Sequence, residues 1–308
     1  MKASITRSPL LRTAARYKQL YILMLPGLLL LITFMYIPMF GVVIAFKDYT
    51  YAGGIFGSSW VGLKHFRAIF SDPYFYTILR NTLIISLYKL LFNFLAPVAF
   101  AILLNEVTNT KFKKIVQTTS YLPYFISWVV LSGIITSILS MDGVVNTIWG
   151  WFGGESKSFL TDPKIFRGIL VASDVWKTFG WNAIVYLAAI SGIDPTLYEA
   201  ATVDGASRTR RIFSITIPSI IPVICIMLIL NSANILNGGF DQVFNLYNTN
   251  VMDVADIIDT YVYRKGIEDM QYSYSTAIGL FKSVICMILM LISNTTVKKL
   301  GGGDYALW

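Results

Sequence analysis

Six long apolar stretches alternate with polar stretches along the 308-residue chain. A helix needs about 20 mostly apolar residues to cross the hydrocarbon core of a bilayer, and each stretch has about this length. The pattern predicts an all-α polytopic membrane protein with six transmembrane helices. The predicted spans are residues 20–46, 78–104, 118–140, 168–190, 219–237 and 274–297.

The changes of polarity also predict how the chain is divided. The expected segments are a basic tail at 1–19, a first helix at 20–46, a loop at 47–76, a five-helix core at 77–297 and a second tail at 298–308. Within this core we expect a polar hairpin at 191–218 and a loop at 238–272. A short amphipathic helix is expected at residues 144–152.

Composition and charge support this interpretation. Hydrophobic residues make up 55% of the chain and charged residues 14%, whereas soluble domains are roughly 45–50% apolar and 25% charged. The net charge of +8 does not indicate a nucleic-acid partner, because the basic residues flank the spans instead of forming one patch.

The basic residues also predict an orientation. Thirteen of the 25 lie in the amino tail, the loop after the second span, the hairpin and the carboxyl tail. Short basic segments stay on the cytoplasmic side, so both termini and the hairpin are expected there. The first span is long, contains Pro26 and Pro38 and lacks a small-residue cleavage site, which predicts a retained anchor in the lipid bilayer.

Residues that could support catalysis are sparse. No phosphate-binding G-x-x-x-x-G-K-[ST] loop occurs, and the one histidine, His65, is expected at the surface of a loop. Cys225 and Cys286 lie singly in apolar segments and are expected to act as small core side chains. We therefore expect neither an enzyme nor a bound metal or other cofactor.

Three aspartates in the last long loop recur every three residues: Asp253, Asp256 and Asp259. This spacing places them along one helical face. A calcium loop would need a glycine turn and more oxygen ligands. We therefore expect a solvated or partner-facing acidic stripe.

The polar hairpin carries its own start, turn and stop signals. Asp194 is an expected N-cap, and Pro195 follows at the first helical position, where its missing N–H costs nothing. Gly205 supplies the positive φ that a tight turn needs. Ser207 is expected to cap a second short helix, and Pro218 marks the point where the chain turns into the next span.

Polar residues within two predicted spans suggest a candidate translocation path. If both helices are continuous, each set shares one face. The sets are Asp174, Lys177, Thr178 and Trp181 in the fourth span, and Asn231, Asn234, Asn237 and Asp241 in and after the fifth. Asp174 and Lys177 are expected to neutralise each other. Such groups either bind a sugar or hold helices together, and the sequence leaves both readings open.

The hairpin resembles the cytoplasmic loop of permease subunits in binding-protein-dependent ABC importers. That pattern reads E-A-A, three residues, G, nine residues, then I-x-[LI]-P. Here Glu199-Ala200-Ala201, Gly205, Ile215 and Pro218 match, with Ile217 in place of the commoner leucine.

Other stretches look like the sugar-permease branch, and most like permeases for polysaccharides and complex oligosaccharides. They are Leu25-Pro26-Gly27, Phe46-Lys47-Asp48-Tyr49, Trp60-Val61-Gly62-Leu63, Arg80-Asn81-Thr82-Leu83, Ser120-Tyr121-Leu122-Pro123 and the segment 253–261.

The resemblance implies a MetI-like core with one additional N-terminal helix, in the cytoplasmic membrane of a bacterium. It also implies three partners: a second homologous permease, a dimer of ATP-binding subunits that binds ATP-Mg, and an extracytoplasmic sugar-binding lipoprotein. The hairpin would then be the coupling helix that docks on the ATPase. Ala200 and Ala201 would allow close approach, while Glu199 and Asp204 would meet donors on that partner.

Two other functions remain open from the residues alone. An integral-membrane enzyme acting on lipid-linked sugars would need paired carboxylates or a metal motif at the membrane edge, but Asp48, Asp72 and Asp162 are scattered. A stand-alone secondary transporter is usually built from internal repeats, and none is visible.

Overall fold

The computed structural model describes residues 16–232 and 235–301, and this part of the chain is mostly helical. The first elements are α1 (Lys18–Leu31), α2 (Ile37–Met39), β1 (Lys47–Asp48), α3 (Gly54–Gly57), β2 (Ser59–Trp60), α4 (Lys64–Ser71) and α5 (Pro73–Asn105). The middle elements are α6 (Thr110–Tyr121), α7 (Trp128–Ile138), α8 (Val144–Trp151) and α9 (Pro163–Ser191). The last elements are α10 (Pro195–Val203), α11 (Arg208–Arg211), α12 (Ile217–Ser232), α13 (Phe240–Leu246), α14 (Met252–Ala255), α15 (Ile258–Tyr263) and α16 (Tyr272–Gly301).

Tighter and wider helical turns extend several of these helices. The 3-10 segments are Phe40–Phe46, Leu122–Phe125, Phe159–Thr161 and Thr249–Val251. The π-helical segments are Ile32–Tyr36, Ile212–Thr216 and Arg264–Glu268. The all-α prediction is confirmed, and helix α8 lies where a short amphipathic helix is expected, at residues 144–152.

Four helical stretches among the described residues are long and apolar enough to cross a membrane. They are Lys18–Phe46, Pro73–Asn105, Arg208–Ser232 and Tyr272–Lys299. Helix α9 has 29 residues, enough to span, but polar residues such as Asp174, Lys177 and Asn182 lower its hydropathy. Six crossings and cytoplasmic termini stay predictions.

The third predicted span is not one straight helix but a bent pair of helices, and its crossing of the membrane stays a prediction. Helices α6 and α7 meet at an angle of 106°, and Pro123 lies in the 3-10 segment between them. Proline has no N–H to donate and its ring collides with the preceding helical turn. Ser127 then caps α7 by accepting from the Val130 amide at 3.4 Å.

Three of the helices begin with the dipeptide Asp-Pro. The carboxylates of Asp72, Asp162 and Asp194 each accept from the amide two residues later, at 2.9 Å in every case. The proline takes the first helical position, where no donor is needed. A two-residue signal therefore sets the starts of α5, α9 and α10.

Two π-helical segments lie just before prolines. Ile32–Tyr36 precedes Pro38, and Ile212–Thr216 precedes Pro218. In both cases the carbonyl four residues before the proline falls inside the widened turn, which relieves its collision with the ring. The expectation that the chain turns at Pro218 is wrong, because the helix continues from Arg208 through Ser232.

The aspartates of the last loop do not form a solvated stripe, which corrects that expectation. The helix breaks after Ala255, and Asp256 is fully buried. Its carboxylate pairs with Arg264 at 2.5 Å and accepts from the Tyr74 hydroxyl at 2.9 Å. A buried charge must be paired, so Asp256 holds this loop onto the start of α5.

His65 is also placed differently from the expectation. It lies on α4, is 9% exposed, and its Nε2 is 3.1 Å from the Lys47 carbonyl oxygen. It therefore ties α4 to β1, which pairs antiparallel with β2 through Lys47 and Trp60.

Helices α5 and α9 form the centre of the fold, and the core packs around them. The largest cluster joins Ile85 of α5 and Leu170 of α9 to Leu131 of α7 and Val243 of α13. On α9, Gly180 lies so close to α6 that a Cβ would be 2.2 Å from the Ser120 carbonyl oxygen. This contact requires glycine.

We predict that Gly180→Ala destabilises the protein by about 1–3 kcal/mol, the usual cost of overpacking. The measurement is the thermal unfolding midpoint of the purified chain in detergent. Gly168→Ala is the matched control, since a Cβ at Gly168 on the same helix meets nothing within 4 Å. Equal midpoints for the two variants would contradict the close approach of α6 and α9.

Candidate functional site

The first arm of the hairpin is α10, and its start has the predicted cap. The Thr196 amide donates to Asp194 Oδ1 at 2.9 Å, and this bond lowers the pKa of the Asp194 carboxyl. Pro195 occupies the first helical position. The capping prediction is confirmed.

Gly205 ends α10 in the predicted way. Its φ is +74°, a value that side chains with a Cβ rarely adopt. Its amide donates to the Thr202 carbonyl at 3.1 Å, and the Ala206 amide donates to the Ala201 carbonyl at 2.8 Å. These two bonds form a Schellman motif, which satisfies carbonyls at the end of the helix.

Two side-chain bonds lock the arms of the hairpin together. The Tyr198 and Thr216 hydroxyl oxygens are 2.9 Å apart, and Arg211 donates to Thr202 Oγ1 at 2.8 Å. Ser207 caps α11, as expected, by accepting from an amide in its first turn. The hairpin is therefore a cross-braced unit, a property that its sequence pattern does not reveal.

Four exposed residues of α10 and its C-cap Asp204 form what we call the hairpin surface: Leu197, Glu199, Ala200, Val203 and Asp204. No residue of α10, which the structure describes in full, is buried. Val203 is 88% exposed and Leu197 49%. Exposed apolar side chains beside charged ones are typical of an interaction surface. Sequence reasoning missed both, although each is an apolar residue in a polar loop.

Three other residues of the motif lie outside this surface. Ile215 is half-buried within the π-helical segment, and Pro218 is exposed on the helix that follows. Ala201 is half-buried on α10. These positions shape the hairpin rather than its exposed side.

A second candidate site is a polar cavity of about 240 Å³ between the central helices. Its wall consists of Ser86, Lys89, Leu90, Asn93, Asp174, Asn231, Ile235, Asn237 and Gly239. The cavity brings together three of the predicted path residues, Asp174, Asn231 and Asn237.

Lys89 joins three parts of the chain at this cavity. Its ammonium donates to the Gly238 carbonyl at 2.8 Å and to the Gln242 side-chain oxygen, and lies 3.6 Å from Asp174 Oδ1. Gln242 in turn donates to the Leu170 carbonyl at 2.7 Å. An ammonium in the apolar interior requires such partners.

Asp174 does not pair with Lys177, so that expectation is wrong. Its carboxylate faces Lys89 and accepts from Asn93 Nδ2 at 2.6 Å. Thr178 completes this set by donating to Asn93 Oδ1 at 3.0 Å. The partners of Asp174 come from α5, which the sequence alone does not place beside α9.

Lys177 and Trp181 face the bend between α6 and α7 and do not line the cavity. Lys177 donates to the carbonyls of Pro123, Tyr124 and Ile126, the last two at the break of the helix. Trp181 stacks on Tyr124 with ring centroids 4.6 Å apart. Both residues therefore stabilise the broken helix.

The helix of the fifth span does not continue as far as Asp241, which corrects the expected single face. Helix α12 ends at Ser232, and Asp241 lies exposed in the separate helix α13. Gly239 turns the chain with a φ of +86°, and a Cβ there would be 2.6 Å from Lys89 Nζ. Asn231 and Asn237 still meet at the cavity. Asn234 lies outside the described residues.

Comparison with known proteins identifies the family. The profile of the binding-protein-dependent transport system inner membrane component family matches residues 94–300. The chain belongs to this family. Its MetI-like permease fold confirms the resemblance carried by the hairpin, and a transport subunit is neither a membrane enzyme nor a stand-alone secondary transporter.

Curated relatives of this permease come from bacteria. The polygalacturonan/rhamnogalacturonan transport system permease protein YteP of Bacillus subtilis is 44% identical, with 96% of this chain and 92% of the relative covered. Protein LplB of the same organism is 46% identical, with 92% and 90% covered. The arabinooligosaccharides transport system permease protein AraP of Halalkalibacterium halodurans is 28% identical, with 79% and 76% covered.

Solved structures show the same fold. A chain of a bacterial ABC transporter involved in the import of the acidic polysaccharide alginate has a TM-score of 0.88 and 38% identity, with 96% of this permease and 100% of that chain covered. A chain of the bacterial alginate transporter in complex with a pentasaccharide-bound periplasmic protein has a TM-score of 0.87.

We predict that Lys89→Met destabilises this permease by about 3–5 kcal/mol, because it leaves Asp174 without its buried partner. The double variant Lys89→Met/Asp174→Leu should lose less stability than the two single variants lose when their losses are added. Thermal unfolding in detergent measures both effects. Lys265→Met is the control: its i,i+4 partner Asp269 is 40% exposed, so a loss of only about 0–1 kcal/mol is expected. Additive losses at Lys89 and Asp174 would refute the pairing.

Proposed function

We propose that this chain is the transmembrane permease subunit of an ABC importer that moves oligosaccharides into the cytoplasm of a bacterium. The main support for this proposal is the hairpin, which has the residue spacing of the importer coupling loop and is an exposed, cross-braced unit. Relatives named for polygalacturonan/rhamnogalacturonan and arabinooligosaccharides, and the alginate importer, support a carbohydrate substrate.

The hairpin surface is the proposed contact with a separate ATPase. The exposed Val203 and Leu197 would insert into an apolar groove of that partner, while Glu199 and Asp204 would meet its donors. The small side chain of Ala200 allows the two backbones to approach closely. Under this proposal ATP-Mg is bound by a dimer of partner subunits, and this chain holds no cofactor of its own.

A second, similar permease is the proposed partner within the membrane. No residue of α1, from Lys18 to Leu31, is buried, and Leu23 is 78% exposed. Lipid covers part of such a helix, and a second subunit would cover the remainder and close the polar cavity. The proposed location is the bacterial cytoplasmic membrane, with the hairpin on the inside.

The polar cavity is the proposed part of the translocation path. Lys89, Asp174 and Asn93 are bonded to one another and hold helices together, so they support the wall. Asn231 uses its amide nitrogen for the Met227 carbonyl at 2.8 Å, and its oxygen makes no hydrogen bond with another described residue. Asn237 makes no hydrogen bond with another described residue. These two carboxamides can therefore bind sugar hydroxyls.

The segment between α12 and α16 is the proposed docking surface for an extracytoplasmic sugar-binding protein. It carries the buried Asp256–Arg264 pair, which keeps the segment in one conformation. The alginate transporter in complex with its periplasmic protein shows that a structural neighbour has such a partner. A lipoprotein form of that partner is the expectation from the resemblance.

We predict that Glu199→Lys and Gly205→Pro each abolish most of the stimulation of ATP hydrolysis by the substrate. The first reverses a charge on the hairpin surface. The second forces φ to about −65° where +74° is needed. In liposomes that contain all partner subunits, substrate-stimulated ATP hydrolysis should fall roughly tenfold or more, as expected for residues at the centre of an interface.

Glu106→Lys provides the control for this experiment, because it makes the same charge change in the other short cytoplasmic loop. This variant should leave the substrate stimulation of ATP hydrolysis near the wild-type value. Membrane insertion of every variant is checked by its recovery in the membrane fraction. Stimulation that is unchanged by both hairpin variants would overturn the coupling role.

A further inference from the structure

We infer that a second cavity, next to α16, is an outer sugar subsite that selects long oligosaccharides over short ones. The inference rests on the proposed transport function and extends it to chain length. The cavity has a volume of about 460 Å³, and its wall includes Asn237, Phe240, Asp259, Tyr263, Tyr272 and Lys282.

The outer cavity adjoins the inner polar cavity through one residue. Asn237 lines both of them. It lies in the turn between α12 and α13, is exposed, and its carboxamide has no partner among the described residues. A ligand that bonds to Asn237 from the inner cavity can therefore extend past it into the outer one.

Size gives a reason for two subsites. Pockets for small molecules usually measure about 300–1,000 Å³, and the inner cavity, at about 240 Å³, lies below this range. The outer cavity, at about 460 Å³, lies within it. A chain of several sugar units needs more space than the inner cavity offers, and the adjoining outer cavity supplies it.

Aromatic rings form a fixed platform at the outer cavity. Tyr263 lies 5.4 Å from Phe240 and 5.1 Å from Phe244 between ring centroids, and the two phenylalanines stack at 5.1 Å. Ring faces carry negative charge, which attracts the C–H groups on the face of a pyranose ring. Because the rings hold one another in place, little side-chain entropy is lost on binding.

Charged groups complete the chemistry of this cavity. Lys282 donates to Asp259 Oδ1, and about one fifth of each side chain is exposed, 19% and 20%. The ammonium has two further protons to donate. Asp259 Oδ2 is buried and has no hydrogen-bond partner among the described residues. A small turn of the carboxylate would present this oxygen to a sugar hydroxyl, which supplies the missing donor.

The test is uptake by the complete importer in liposomes, with ATP and the binding protein supplied. The probes are disaccharides and hexasaccharides of galacturonan, alginate and arabinan, each used separately. The variants are Tyr263→Ala, which removes the platform, and Asp259→Asn, which weakens the polar wall. The controls are Tyr263→Phe, which keeps the ring, and Phe56→Ala, which removes an aromatic residue that is 95% exposed outside the cavity.

Uptake of the transported hexasaccharide should fall roughly 2- to 12-fold in Tyr263→Ala and in Asp259→Asn, the range for loss of one aromatic or polar contact. Disaccharide uptake should stay within about twofold of wild type, and both controls should behave as wild type. This difference between lengths separates a subsite from a general loss of structure, which would lower both.

Equal losses for both lengths, or no loss for either, would overturn the outer subsite while leaving the importer function standing. Equal losses would indicate a general loss of structure, and no loss for either length would indicate that the cavity does not bind the sugar. If the wild-type complex imports none of the three series, the proposed function itself fails, and the subsite fails with it.

Discussion

The architecture of this permease depends on how it accommodates the buried ammonium of Lys89. A cation in an apolar interior is tolerated only with several polar partners. Here the partners come from α9 through Asp174, and from the turn before α13 through the Gly238 carbonyl and Gln242. The ammonium of Lys89 therefore holds α5 close to α9 and holds the turn before α13 against both helices. The turn also needs Gly239, whose φ of +86° is one that residues with a Cβ rarely adopt.

Charged side chains also stabilise two other interruptions of helices. Lys177 donates to the carbonyls at the bend between α6 and α7, and Arg264 neutralises Asp256 where α14 ends. Breaking a helix in an apolar environment exposes backbone groups that need donors. These charged residues inside the core are thus structural, whereas Asn231 and Asn237 at the cavity are neutral carboxamides.

Local signals in the sequence predicted the hairpin well and the core poorly. Asp194, Gly205 and Ser207 act on their own neighbours within three residues, so their roles follow from spacing alone. The pairing of Asp174 with Lys89 joins positions 85 residues apart, and helical periodicity on α9 carries no information about α5. Periodicity also assumed continuous helices, and that assumption failed at Pro123 and at Gly239.

Chain connectivity links the hairpin to the cavity. From Asp174, α9 runs about 25 Å to its end at Ser191, at 1.5 Å per residue, and α10 follows within four residues. The other arm of the hairpin continues without a break into α12, which reaches Asn231 after a similar distance. The bonds from Tyr198 to Thr216 and from Arg211 to Thr202 join these two paths. Under the proposed coupling role, these bonds would let a force applied to the hairpin move both of these helices together.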